Sequence, residues 1–169
     1  MKRVYLGIGS NVGDRQAKLE FTRQSLQTLA NSKLAAFSDA YETKPVGPIP
    51  QGEFLNAAAA IDTTLTPTEL LAELQRIEQD AGRADTSQRI KWGPRELDLD
   101  ILFFDDQVIA TDTLSVPHPM LHDRWFVLKP LADIAPNLVH PLLQMTVAEL
   151  LRYVEDAPPT EEFNEEDDD

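Results

Sequence analysis

The sequence predicts an α+β fold, an antiparallel sheet with helices packed against it. Three observations support this reading. Short apolar runs closed by turn residues alternate with stretches of helical apolar spacing. One such stretch opens on Thr66-Pro67-Thr68-Glu69, a capping box with proline at the first helical position. The second and third apolar runs follow one another with no helical stretch between them.

Residues 4–8 form an apolar run ended by Gly9-Ser10-Asn11-Val12-Gly13-Asp14, which reads as a buried strand, a turn, and Asp14 as a helix N-cap. Leu19, Arg23, Leu26 and Ala30, with Leu29 beside them, keep helical spacing to about Asn31. Gly7, Gly9 and Gly13 miss the G-x-G-x-x-G spacing by one, and no Gly-Lys-Ser/Thr follows, so dinucleotide-fold and P-loop readings are rejected. Residues 34–43, with Phe37 and Tyr41, read as a second strand ending at Pro45-Val46-Gly47-Pro48-Ile49-Pro50-Gln51-Gly52. That proline-glycine stretch can sustain neither helix nor central strand. Residues 54–62 carry four consecutive alanines, which alone favour helix; the short run and its flanking turn residues favour a strand.

The helix begun at Thr66 runs to Ala81 with Gly82 as its stop, burying Leu70, Leu74, Ile77 and Ala81 and leaving Gln75 and Glu78 on another face. Residues 83–91 are polar, aperiodic and carry three bases, which reads as a loop. A strand over 98–104, a turn at Asp105-Asp106 and a short return strand at 107–109 come next. Residues 127–134 read as a short helix, and Thr146 with Glu149 caps a closing helix to about Val154. The resulting β-α-β-β-α-β order is that of ferredoxin-like folds, two helices on one face of an antiparallel sheet, with an added C-terminal hairpin and helix segment. A single domain over residues 1–157 and an acidic disordered tail over 158–169 are expected.

Chemistry concentrates in Trp92-Gly93-Pro94-Arg95-Glu96-Leu97-Asp98-Leu99-Asp100-Ile101-Leu102-Phe103-Phe104. In an extended chain Leu97, Leu99, Ile101 and Phe103 share one face, and Asp98 and Asp100 share the other. Strand carboxylates at i and i+2 lie roughly 6.6 Å apart at Cα, close enough to converge on one or two hard cations such as Mg²⁺ beside phosphate oxygens. A solvated strand face explains most D-x-D pairs. Here the aspartates recur beside a Gly-Pro turn carrying Arg95, although Asp suits strand interiors poorly, and that favours function.

Of the 29 acids behind a formal charge of −14, nine lie from Glu155 onward without a base, leaving a body at −5. Nucleic-acid binding through a broad basic surface is therefore not expected. The chain has no cysteine, which excludes disulfides and thiol chemistry. No apolar run is long enough for a membrane span or a signal segment, so a cytoplasmic protein is expected, and a monomer.

W-G-P-R-x-L-D-L-D resembles the signature of the 6-hydroxymethyl-7,8-dihydropterin pyrophosphokinase family. Further family-like positions recur in order: Tyr41-x-Thr43 before the proline-glycine loop, Phe54-Leu55-Asn56-Ala57, Gln75-Arg76-Ile77-Glu78, Gly82-Arg83, and Val116-Pro117-His118 followed by Arg124 and Phe126. The resemblance covers residues 4–154. It implies transfer of diphosphate from the co-substrate ATP to the hydroxymethyl group of 6-hydroxymethyl-7,8-dihydropterin, releasing AMP, in folate biosynthesis. It also implies two Mg²⁺ ions on Asp98 and Asp100, with Arg83 and Arg95 spreading developing negative charge. For the pterin it implies Phe54 and Phe126 as a sandwich, Asn56 and Thr43 as hydrogen-bond partners, and Pro45, Val46 and Trp92 beside them. For ATP it implies Gln75, Glu78, Lys91, Trp92, Arg95, Ile101, Ser115, His118 and Arg124.

Three positions depart from the family pattern: Lys44 where proline is usual, Lys91 where arginine precedes the tryptophan, and Thr113 where a base often touches nucleotide. The 83–92 loop is longer than in relatives, which leaves Arg89 without a role, and it is expected to act as a lid over both substrates. His122 and His140 carry no family role and read as surface or turn residues. The competing reading is a catalytically silent ferredoxin-like module that recruits basic partners through the acidic tail.

Overall fold

The computed structural model describes residues 1–10, 14–43, 54–82 and 97–156. Strand β1 (Lys2–Ser10) is followed by α1 (Arg15–Gln27), β2 (Ser32–Phe37), β3 (Tyr41–Thr43), β4 (Phe54–Thr63), α2 (Pro67–Ala81) and β5 (Asp98–Phe104). Then come a two-stranded ribbon of β6 (Ile109–Ala110) and β7 (Ser115–Val116), α3 (Trp125–Ile134) and α4 (Val147–Asp156). The main sheet runs β2-β4-β1-β5, antiparallel throughout, with β3 also paired to β4. This is the expected β-α-β-β-α-β core. The lid expected over 83–92 and the acidic tail lie outside the described residues.

Sequence signals act locally as expected at both helix starts. Asp14 accepts from the Ala17 N–H at 3.0 Å, and the Thr66–Glu69 box closes in both directions. Helix α1 stops earlier than its spacing suggests. Asn31, at a φ of 60°, turns the chain into β2, and Thr28 bonds back to the Gln24 carbonyl. Its buried face also differs, since Leu19, Thr22 and Leu26 point inward. Arg23 lies outside over the Phe37 ring, 5.3 Å from its centroid, and the buried Thr22 hydroxyl is satisfied by the Lys18 carbonyl.

The single strand expected over 34–43 is two. Between Phe37↔Ala59 and Tyr41↔Asn56 the outer chain uses one residue more than β4, and Ser38 bridges the break. Its amide donates to the Ala58 carbonyl, while its hydroxyl accepts from the Ala58 N–H, both at 2.8 Å. The Ala57–Ala60 run is a strand despite its propensity, because it is central and buried on both faces.

The two core helices share one face as expected, and the added C-terminal helices cover the other. Leu19, Leu26, Leu70, Leu74 and Ile77 of α1 and α2 pack on Val4, Leu6, Ile8, Leu99, Ile101 and Phe104. Leu128, Leu131, Val147 and Leu150 of α3 and α4 pack on Ala58, Leu102 and Phe103. Phe103 is therefore on the opposite face from Leu99 and Ile101, contrary to simple alternation. The β1–β5 register moves from Leu6↔Ile101 to Tyr5↔Phe103, so Leu102 is an extra residue, and this bulge turns Leu102 and Phe103 both toward α3 and α4. Helix α3 starts two residues before the expected position, and α4 runs to Asp156. Among the described residues no helix is long and apolar enough to cross a membrane.

Candidate active site

Three neighbouring strands place Asn56, Gly9 and Asp98 in one row, and Ala58, Gly7 and Asp100 in the row beside it. The glycines matter because they sit between two walls. A Cβ on Gly9 would stand 3.3 Å from Asn56 Oδ1, and one on Gly7 would stand 3.3 Å from a Leu102 methyl. Bare backbone thus floors a trough, with Phe54 and Asn56 on one side and the two aspartates on the other. The lip is supplied by His118, Asp123, Arg124, Phe126 and Val127, giving a cavity of about 480 Å³.

Each wall has a local cause. Asp98 is half-buried and Asp100 exposed, on the same face of β5 ahead of the bulge. Among the described residues β5 is the edge of the sheet, and the outward N–H of Leu99, between the two aspartates, donates to Glu78 Oε2 on α2 at 2.7 Å. His118 follows the cis Val116–Pro117 bond, and its amide donates to the Leu102 carbonyl at 3.0 Å. Its Nδ1 accepts from the Met120 N–H at 3.3 Å, which leaves the ring proton on Nε2. Burial lowers the His118 pKa and Arg124 adds to the effect, against the pull of Asp100, so near neutrality the ring is an uncharged donor. The Arg124 guanidinium lies 5.8 Å from the centroid of the Phe126 ring.

Among the described residues no three His, Asp or Glu side chains gather into a cage for a metal ion. Two carboxylates on one strand face suit Mg²⁺, which keeps waters and completes its shell with phosphate oxygens.

Of the expected residues, Phe54, Asn56, Asp98, Asp100, His118, Arg124 and Phe126 line this one cavity. Thr43 pairs with Phe54 at its rim strand. Gln75 and Ser115 are exposed and do not line it. Ile101 is 4% exposed and its side chain points into the α1/α2 core, so any nucleotide contact there falls to its backbone. Pro45, Val46, Arg83, Lys91, Trp92 and Arg95 lie outside the described residues, as do Lys44 and Arg89. Gly7 and Gly9, which in sequence look only like a failed phosphate loop, carry a different signal: two glycines at i and i+2 within a strand. Asp123 and Val127 have no signal in the sequence, because only the position of α3 brings them to the lip. His140 is no surface residue. It is 4% exposed, its ring meets Phe103 edge-on, and its Nδ1 accepts from the Leu142 and Leu143 amides.

The sequence pattern of the family described as 7,8-dihydro-6-hydroxymethylpterin-pyrophosphokinase (HPPK) matches residues 5–136. A relative in Aquifex aeolicus, named 2-amino-4-hydroxy-6-hydroxymethyldihydropteridine pyrophosphokinase, is 42% identical over 149 residues, 88% of this chain and 90% of that one. A relative of the same name in Bacillus subtilis is 45% identical over 134 residues, 79% of this chain and 78% of that one. Among solved structures, a Plasmodium falciparum HPPK-DHPS chain superposes with a TM-score of 0.70 at 17% identity, over 91% of this chain and 46% of that one. The chain thus spans under half the length of that solved protein, and the likeness concerns the fold. With the family pattern and the relatives' identity taken together, the chain belongs to the 7,8-dihydro-6-hydroxymethylpterin-pyrophosphokinase family.

Proposed function

We propose that the protein transfers diphosphate from ATP to the hydroxymethyl oxygen of 6-hydroxymethyl-7,8-dihydropterin. One observation carries this reading. A wall able to hold a flat, hydrogen-bonding ring, Phe54 with Asn56, faces a wall of two carboxylates across a trough floored by glycine. The substrate hydroxyl oxygen attacks the β-phosphorus, the bond from that phosphorus to the oxygen bridging the α-phosphorus breaks, AMP leaves with the bridging oxygen, and the hydroxyl proton passes to water.

Asp98 and Asp100 would hold two Mg²⁺ ions, which neutralise phosphate charge when bound. Asn56 offers both donor and acceptor to a pterin edge, while Phe54 and Phe126 flank the ring. His118, with its proton on Nε2, donates to phosphate, and Arg124 offers a planar fork to the same groups. Glu78 acts at one remove, by holding the Leu99 amide between the aspartates. Arg83 and Arg95 as charge-spreading groups, and Thr43, Pro45, Val46 and Trp92 around the pterin, remain part of the proposal on the strength of their motifs. So do Gln75, Lys91, Trp92, Ile101 and Ser115 around ATP. Residues 1–157 would be the catalytic unit. A monomer acting in the cytoplasm remains part of the proposal, since ATP as co-substrate fits that compartment.

AMP release from ATP and Mg²⁺, with and without 6-hydroxymethyl-7,8-dihydropterin, tests the reading. Pterin-dependent AMP is expected, and its absence would leave the silent binding module, which family membership disfavours.

A further inference from the structure

Tyr41 stands in β3 directly across from Asn56, on the strand pair that carries the Phe54–Asn56 wall. Its side chain reaches α3, the helix beside the Arg124/Phe126 lip of the cavity. The ring meets Trp125 edge-on, with centroids 6.1 Å apart, and the Lys129 ammonium lies 5.8 Å from its centroid. Its hydroxyl donates to the Asp133 carboxylate. Trp125, Lys129 and Asp133 are spaced i, i+4, i+8 and form one line along α3, so Tyr41 lies along the helix as a strap. Trp125 Nε1 donates in turn to Glu155 of α4 at 2.9 Å. The same helix, entered from Arg124, sends Phe126 and Val127 into the cavity.

Leu128 and Leu131 bury α3 against the sheet, but apolar contact is non-directional and permits rotation and slide. The helix start has no side-chain capping bond from Arg124 and no acid in its first turn, and the Trp125–Glu155 bond there holds it to α4 and not to the sheet. The Tyr41–Asp133 bond, by contrast, is a directional contact that ties α3 to the sheet. We propose that Tyr41 and Asp133 are positioning residues, setting the separation between the Phe54/Asn56 wall and the Arg124/Phe126 lip and hence the fit of a flat heteroaromatic substrate between them. The hydrogen bond to Asp133 pushes the Tyr41 pKa up to about 12, so the hydroxyl remains a donor throughout the working pH range. The proposal rests on the pterin reading of the cavity and names what sets its width.

The test uses the full chain, with steady-state AMP release for kcat and both KM values, pterin fluorescence for its dissociation constant, and thermal melting. Tyr41→Phe keeps the ring and removes the donor; Asp133→Ala removes the acceptor; Asp133→Asn keeps one. Tyr41→Phe and Asp133→Ala should each raise the pterin KM and dissociation constant about fivefold, and the double variant no further, because both remove one contact. The melting temperature should hold, the ATP KM should rise less than the pterin KM because Arg124 moves with Phe126, and Asp133→Asn should recover most of the loss. Pterin constants within about twofold of the parent would overturn the proposal, as would a fall in melting temperature with both KM values rising equally. Absence of pterin-dependent AMP in the parent protein would instead overturn the reading of function.

Discussion

Asp98 and Asp100 show how much a single residue can reveal through its neighbours in sequence. Two acids inside an apolar strand contradict strand propensity, and that local conflict is what marks them. Since both line a trough instead of filling core, Asp98→Asn and Asp100→Asn should each lower turnover by at least about a thousandfold while moving the melting temperature by only a few degrees. Parallel activity and thermal-melting measurements separate these effects; loss of folding would make the pair structural. Gly9 was illegible for the opposite reason. Its value lies in what is missing, and only the register that sets Asn56 beside it reveals the close approach.

His140 is another residue whose role comes from packing. Its Nδ1 accepts two amide protons and burial lowers its pKa, so the folded protein holds the ring neutral. Below the ordinary value of 6.5 the unfolded chain binds the proton more readily, so the stability this group contributes is present above that pH and lost as pH falls toward the lowered value. The melting temperature should fall on acidification from pH 7 to pH 5. In His140→Asn, whose side-chain oxygen can take the same amides without titrating, the slope should be shallower, though not zero, because His118 is shifted in the same direction. An unchanged slope in that variant would remove His140 from the account.

At the level of elements, helices announced by side-chain chemistry were legible and strand geometry was not. The Thr66–Glu69 and Thr146–Glu149 boxes form as spaced, because a cap needs only neighbours in sequence. The break at Ser38 and the bulge at Leu102 depend on the partner strand, and alternation alone cannot show an inserted residue. The clamp from α2 to β5 belongs to this scale. Glu78→Ala strands the Leu99 amide at the sheet edge and frees the aspartates to shift, whereas Glu78→Gln keeps an acceptor. Turnover should fall about tenfold or more in the first and much less in the second, with the ATP KM separating lost positioning from lost nucleotide contact. Equal losses in the two would point to the charge and away from the hydrogen bond.

For the whole molecule, the sequence order was enough for the ferredoxin-like core but not for the covering of its second face. Helices α3 and α4 are short, and the segment before α3 is broken by prolines, so their destination is decided by which sheet face stays uncovered. The closing helix ends at Asp156, and the residues beyond Ala157 hold seven acids, no base and one large apolar side chain, Phe163. Such a segment has little to bury, so ending the chain at Ala157 should leave turnover and melting temperature within experimental error. A large loss of activity would instead give the tail a partner or a role in the site.

The glycine-floored trough has a thermodynamic consequence. Elsewhere on its second face the sheet is closed by Leu128, Leu131 and Leu150, whereas Gly7 and Gly9 contribute no side chain of their own and, among the described residues, a cavity stands over them. A flat ring held between Phe54 and Phe126 would occupy the position of that missing side chain, so ligand binding continues the act of folding. Calorimetry of pterin binding at several temperatures should therefore give a negative heat-capacity change, the mark of apolar surface leaving water, and saturating pterin should raise the melting temperature by mass action.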